Sequence, residues 1–150
     1  MAKSRLGAGG MGEVFAVLDP VLRRELAMKV IREDPAAVDD SARRERRLAR
    51  FLEEAQVMAQ LDHPGIVPVH ELGVDARGRP FLTMKRVRGR TLAQEFARLH
   101  ARPSESSALT RCLAHLLRVC EAMAYAHERG VIHRDLKPTN VMLGNHGEVY

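Results

Sequence analysis

A chain of 150 residues with 45% hydrophobic and 29% charged side chains is long and apolar enough for one ordinary domain or a piece of a larger one. Its net charge of +5 admits nucleic acid, an anionic membrane or phosphate handling as partners. No apolar run reaches the roughly eighteen residues of a membrane span, and Met1 to Arg5 is short and polar without a signal-peptide core, which points to a cytoplasmic location.

Elements follow in chain order. Leu6 to Val14, LGAGGMGEV, reads as a glycine-rich loop leading into a strand, Val14 to Leu18, in which apolar residues alternate. Asp19-Pro20 is a turn signal, and Glu25 to Ile31 is a second strand with Ala27, Lys29 and Ile31 on one face. A helix follows, with Asp39, Asp40 or Ser41 as N-cap candidates. Its apolar stripe is Leu48, Phe51, Leu52, Ala55, Met58 and Leu61, and it stops at His63-Pro64-Gly65. Ile66 to Leu72 and Pro80 to Met84 form a predicted hairpin around the turn-like stretch Asp75 to Arg79. Gly89 marks a break, and Thr91 to His100 is a short helix. A long helix from Leu109 to Glu128 carries Leu109, Cys112, Leu113, Leu116, Leu117, Cys120, Met123 and Ala124 as its apolar set, with Gly130 as its cap. A loop, a short strand over Val141 to Leu143, a turn at Gly144 to Gly147 and the start of another strand complete the sequence. The pattern is α+β with two lobes, 1–87 and 88–150.

With aromatics at 4% and no Trp, the core is predicted to be aliphatic. Cys112 and Cys120 stand about 12 Å apart along a helix, too far for a disulfide, and are expected to be buried free thiols. Arg outnumbers Lys 20 to 4, so the positions that keep Lys draw attention, and Lys29 and Lys137 lie in motifs.

Gly7, Gly9 and Gly12 have a G-x-G-x-x-G-x-V spacing that lets backbone N–H groups approach a phosphate. A dinucleotide-binding turn needs a helix after such glycines, whereas a strand follows here. Ala27 and Lys29 share a face, leaving room for a flat base beside an ammonium, and Val14 on the neighbouring strand could cover that base. An acid on the following helix, such as Glu54, could aim Lys29; an ordinary exposed acid is the plainer alternative, and suits Glu53. Arg43, Arg44, Arg46, Arg47 and Arg50 crowd the same helix without interleaved aromatics, as a solvated basic face would.

Val131 to Leu143, VIHRDLKPTNVML, resembles the catalytic loop of protein kinases in the form used by their Ser/Thr branch. LGAGGMGEV resembles the family's phosphate loop, AMK its V-A-I-K strand, RFLEEAQVMAQLDHPGIV the helix and turn of bacterial Ser/Thr kinases, and PFLTMKRVRGRTL the linker between lobes. The resemblance spans essentially the whole chain. It implies a protein-kinase-like two-lobed fold: a complete small lobe, with a five-stranded antiparallel sheet and one helix, and the first part of a helical large lobe.

The resemblance also implies roles. Leu6, Gly7, Ala8, Gly9, Gly10, Met11, Gly12, Glu13 and Val14 would cover ATP, with Ala27 against the base. Lys29 would hold the α- and β-phosphates and be locked by Glu54. Met84 falls at the gatekeeper position, and the backbone of Lys85 and Val87 would hold adenine. Asp135 would accept or orient the substrate hydroxyl proton, Lys137 would steady the γ-phosphate, and Asn140 would ligate Mg²⁺. His133 would be architectural, and Arg134 would meet a phosphorylated residue. ATP and Mg²⁺ are thus the implied cofactors and a Ser/Thr-bearing protein the implied partner, with no nucleic acid expected.

Lys85 departs from the acid usual after the gatekeeper, at a place where adenine contacts are backbone. The D-F-G motif, whose Asp holds the principal Mg²⁺, is not among the 150 residues, and neither are the activation segment and the A-P-E motif. A kinase fragment inactive on its own, its long helix exposing an apolar stripe, is expected. A truncated kinase fold that binds nucleotide or a partner without catalysis is the alternative, and a basic nucleic-acid-binding domain is a third reading.

Overall fold

The computed structural model of the chain describes residues 2–8, 12–32, 41–101 and 106–150. The chain divides into two compact units, Met1–Gln60 with Pro68–Arg86 and Leu61–Val67 with Val87–Tyr150.

The first unit is a five-stranded antiparallel sheet with one helix. Its elements are β1 (Ala2–Ala8), β2 (Gly12–Asp19), β3 (Arg24–Ile31), α1 (Ser41–Ala59), β4 (Val69–Val74) and β5 (Pro80–Lys85), and the strand order is β1-β2-β3-β5-β4. Strand β3 lies in the middle, which is why Leu26, Ala27 and Val30 are all buried. Strand β1 lies where the sequence pattern predicts a polar terminus running into a glycine loop. An edge strand with exposed side chains needs no apolar alternation; its backbone bonds to β2 suffice. Strand β4 begins three residues later than its predicted start at Ile66. Ile66 N–H instead donates to His63 O in a turn, and the ladder starts past Pro68, whose carbonyl accepts from Lys85 N–H. The β4–β5 turn is built on Asp75, whose Oδ1 accepts from the N–H groups of Arg77 and Arg79, with Gly78 at a φ of 75°.

Helix α1 starts at Ser41, while Asp39 and Asp40 lie outside the described residues. Phe51 and Ala55 from its apolar stripe pack with Leu82 of β5 into a core of near-zero exposure, flanked by Ile31, Leu52 and Met84. Arg43, Arg44, Arg46 and Arg50 face solvent, and Arg47 donates to Arg32 O.

The second unit contains β6 (Gly89–Thr91), α2 (Leu92–His100), α3 (Ser106–Glu128) and β7 (Met142–Gly144). Gly89 does not simply break the chain: it opens β6, which pairs antiparallel with β7. A Cβ on Gly89 would lie 1.9 Å from Leu143 O, so only glycine allows this approach. Leu92, Val141, Leu143 and Val149 form the core, with Phe96 and Val119 against it.

Helix α3 closes at Gly130, φ 73°, where Gly130 N–H donates to His127 O and Val131 N–H to Ala126 O, the Schellman pattern. Its buried residues are Cys112, Ala122 and Ala126, whereas Leu109, Leu113, Leu116 and Leu117 are 41 to 69% exposed. Cys112 is buried as expected; Cys120, expected to be buried, is exposed because it shares the leucine side of the helix rather than the Cys112–Ala126 side. Leu61–Val67 is fastened to α3 by Tyr125. Its hydroxyl accepts from Asp62 N–H at 3.1 Å, its ring lies 5.0 Å from that of His63, and the Arg129 guanidinium covers it at 3.6 Å. Among the described residues, no helix is long and apolar enough to cross a membrane.

Candidate active site

The first unit gathers one set of residues on the helix-bearing face of its sheet. Directly opposed residues in antiparallel strands point to the same side. Val14 stands opposite Lys29 and Ala16 opposite Ala27, while Lys29 and Ala27 stand opposite Leu82 and Met84 on β5. Val14, Ala27, Lys29 and Met84 therefore share a surface with Leu82, which packs under α1. Lys29 Nζ donates directly to Glu54 Oε1 across 25 residues of sequence. Glu54 Oε2 is buried with no hydrogen-bond partner among the described residues. The acid is on the helix face that meets β3, while Glu53 is exposed.

Glycine is needed at Gly12 for a packing reason: a Cβ there would stand 2.4 Å from Val30 O. Gly7 has open space around its Cβ direction, so no such packing demand applies there. Leu6, Gly7 and Ala8 lie exposed on β1, and Gly7 and Ala8 pair with Val14 and Glu13. Glu13 binds Arg5 at 3.1 Å, with Arg32 at 4.0 Å. Gly9, Gly10 and Met11 lie outside the described residues. Lys85 N–H is taken by Pro68 O, and Glu25 pairs with Arg86 just beyond it. Val87 is half-buried and opens the main segment of the second unit.

The second unit gathers the other set. Asp135, Lys137 and Asn140 hold one another in an exposed loop. Lys137 Nζ donates to Asp135 Oδ1 at 2.9 Å, and Asn140 Nδ2 donates to Asp135 Oδ2 at 3.0 Å and to Asp135 O at 2.8 Å. These bonds fix the Asn140 amide so that Oδ1 takes part in neither. Bonds from Lys137 and Asn140 hold the Asp135 carboxyl below the usual carboxylate range, so it is ionised at neutral pH. Arg134 takes a φ of 62°, unusual for a side-chain-bearing residue, and Asp135 N–H turns back onto His133 O.

The residue types fit ATP and Mg²⁺. The Lys29 ammonium, directed by Glu54, supplies the cation that a phosphate-bearing ligand needs. Among the described residues no three His, Cys, Asp or Glu side chains form a metal cage. Around Asp135 the loop offers the side-chain oxygens of Asp135 and Asn140. Such a set fits a hard cation that keeps phosphate and water ligands, with Asn140 Oδ1 as a protein ligand, and does not fit a metal held by protein alone.

Thr91 and Gln94 are missing from the predicted site. Their T-x-x-Q spacing is a cap signal legible in the sequence, but what the capped helix touches is not. Their side chains and backbones close a reciprocal capping box on α2.

Comparison with known proteins agrees with this geometry. Residues 1–150 match the protein kinase domain family. The chain is 38% identical to the serine/threonine-protein kinase PknD of Protochlamydia amoebophila, over 96% of its own length and 15% of that protein's. It is 43% identical to the probable serine/threonine-protein kinase CE0033 of Corynebacterium efficiens, over 96% of its length and 21% of that protein's. The chain thus spans about a fifth or less of these curated relatives. The crystal structure of the Mycobacterium tuberculosis PknI kinase domain superposes with a TM-score of 0.70 at 35% identity, covering 99% of this chain and 56% of that one. With the five-stranded sheet and its helix, the interlocked HRDLKPTN loop and a family match across its full length, the chain belongs to the protein kinase family.

Proposed function

We propose that the protein is a serine/threonine protein kinase that transfers the γ-phosphate of ATP to Ser or Thr hydroxyls of other proteins. The observation that carries this reading is the Asp135 carboxylate, kept ionised and oriented by Lys137 and Asn140. In the reaction, the acceptor hydroxyl oxygen bonds to the γ-phosphorus while the bond to the ADP oxygen breaks. An ionised Asp135 receives the hydroxyl proton, and a carboxylate of lowered pKa orients that hydroxyl more than it strips it. Lys137 offsets charge on the transferring group. Lys29, aimed by Glu54, binds the α- and β-phosphates, and residues 6–14 with Ala27, Met84, Lys85 and Val87 hold the rest of the nucleotide. Mg²⁺, when bound, neutralises charge on the phosphates, and Asn140 would be one of its ligands. We take the two lobes of this enzyme as 1–87 and 88–150, although Leu61–Val67 and Val87 group with the second compact unit.

We assign activity to the whole protein and not to these 150 residues alone. No D-F-G occurs within them, and the Leu109, Leu113, Leu116 and Leu117 stripe is exposed. Uncovering several Leu side chains forfeits several kcal/mol at about 25 cal/mol per Å², comparable to a domain's net stability. The test is transfer of labelled γ-phosphate to a generic basic protein by the full-length protein, its Lys29→Met variant and residues 1–150. Full-length protein should be active, Lys29→Met slower by about a hundredfold or more, and residues 1–150 near background. Full activity in Lys29→Met would remove Lys29 from the nucleotide site. Full activity in residues 1–150 would overturn the assignment of activity to the whole protein. ATP binding without transfer by the full-length protein would favour a non-catalytic nucleotide-binding module.

A further inference from the structure

We infer that the capped N-terminus of α2 holds the catalytic loop in place, with Thr91 and Gln94 as positioning residues for Asn140 and, through it, for Asp135. The catalytic consequence rests on the kinase reading; the holding of the loop does not. A helix start presents N–H groups with no partner inside the helix, and here each has one. Gln94 N–H donates to Thr91 Oγ1 at 3.1 Å, and Thr91 N–H to Gln94 Oε1 at 2.8 Å. The two remaining donors leave the helix: Leu92 N–H bonds Val141 O at 2.9 Å and Ala93 N–H bonds Pro138 O at 3.0 Å.

Those two carbonyls bracket Thr139 and Asn140. The Asn140 amide then reaches Asp135, and Asn140 N–H closes on Lys137 O at 2.9 Å. Residues 132–140 are exposed, so side-chain packing does little to fix them. Backbone bonds carry that task, and α2 supplies two of them. The capping box decides which amides remain for the loop and where they point. Without Thr91 Oγ1, Gln94 N–H loses its acceptor, the first turn frays, and the Leu92 and Ala93 amides lose their fixed direction. The helix itself stays anchored, because Leu92 is 2% exposed in the core beside Val141. Thr91→Val keeps the side-chain shape and removes the acceptor, whereas Thr91→Ser keeps the acceptor.

The experiment uses the full-length protein carrying Thr91→Val, Thr91→Ser or Gln94→Ala; the last removes only the reciprocal bond and serves if Thr91→Val does not fold. Two readouts are taken: amide hydrogen exchange over residues 135–143, and the rate as a function of Mg²⁺ concentration. For Thr91→Val we expect faster exchange at Asn140, a kcat lower by about tenfold to a hundredfold, a higher half-saturating Mg²⁺ and an unchanged KM for the protein acceptor. Thr91→Ser should restore all of these. Unchanged exchange and unchanged Mg²⁺ dependence in Thr91→Val and Gln94→Ala would overturn the inference, even with a lowered Tm, because the cap would then be structural only. Faster exchange in a protein whose wild type transfers no phosphate would support the holding of the loop while defeating the kinase reading.

Discussion

The Glu95 carboxylate on α2 is 1% exposed and surrounded by guanidinium groups. Arg98 donates through Nε at 3.1 Å and Nη2 at 2.9 Å, and Arg90 donates through Nε from β6. Hydrogen bonds from Arg98, then from Arg90, outweigh desolvation and bring its pKa from 4.5 to about 2. The folded value lies below the unfolded one. The stabilisation is therefore fully present above pH ~4.5 and is lost as pH falls toward ~2, with an upper size of about 3 kcal/mol. Glu95→Gln should lower the Tm at pH 7, and its deficit relative to wild type should shrink as the pH is taken down to 3. Thermal unfolding of both proteins at the two pH values checks this, and a deficit independent of pH would contradict it. Nothing in the sequence marks Glu95, since a helix acid with Arg on both sides looks like any solvated charge. Lys29 and Glu54 are different. Strand alternation puts Lys29 on the face of Ala27, and resemblance selects Glu54 over Glu53; the direct bond between Lys29 and Glu54 agrees with both.

Elements with strong periodicity are legible in the sequence. Strand β3, helix α1 and helix α3 each follow from apolar spacing, and the Asp75 turn and Gly130 cap follow from turn chemistry. Strand β1 is not, because an exposed edge strand is defined by backbone bonds to its neighbour and not by a side-chain pattern. The leucines of α3 share a helix face by their spacing and are exposed, as expected of that stripe; what spacing does not separate from them is the covered side, which carries Cys112, Ala122 and Ala126. Strand β6 is too short for any period, and its pairing with β7 includes a close approach at Gly89. Gly89→Ala would place a Cβ 1.9 Å from Leu143 O and force β6 from β7. Amide exchange at Leu143 and Gly144 should accelerate in that variant, while Gly7→Ala, where a Cβ meets nothing within 4 Å, should leave the first unit's protection unchanged. Unaltered protection at Leu143 in Gly89→Ala would mean the strand pair does not depend on this contact.

At the scale of the molecule, family membership is the most legible feature, because HRDLKPTN fixes many positions at once. The protein substrate is not legible. The chain spans 56% of the PknI kinase domain it resembles, and its site residues include no group that marks an acceptor sequence. The central claim is that Asp135, held by Lys137 and Asn140, orients the acceptor hydroxyl and receives its proton as the bond to the γ-phosphorus forms. The direct measurement is the phosphoryl-transfer rate of the full-length protein against its Asp135→Asn variant, with ATP affinity determined on the same samples. Asp135→Asn should lose at least about a hundredfold in rate, the range of a general-base contribution, with ATP affinity unchanged. Transfer at the wild-type rate by Asp135→Asn would contradict the account.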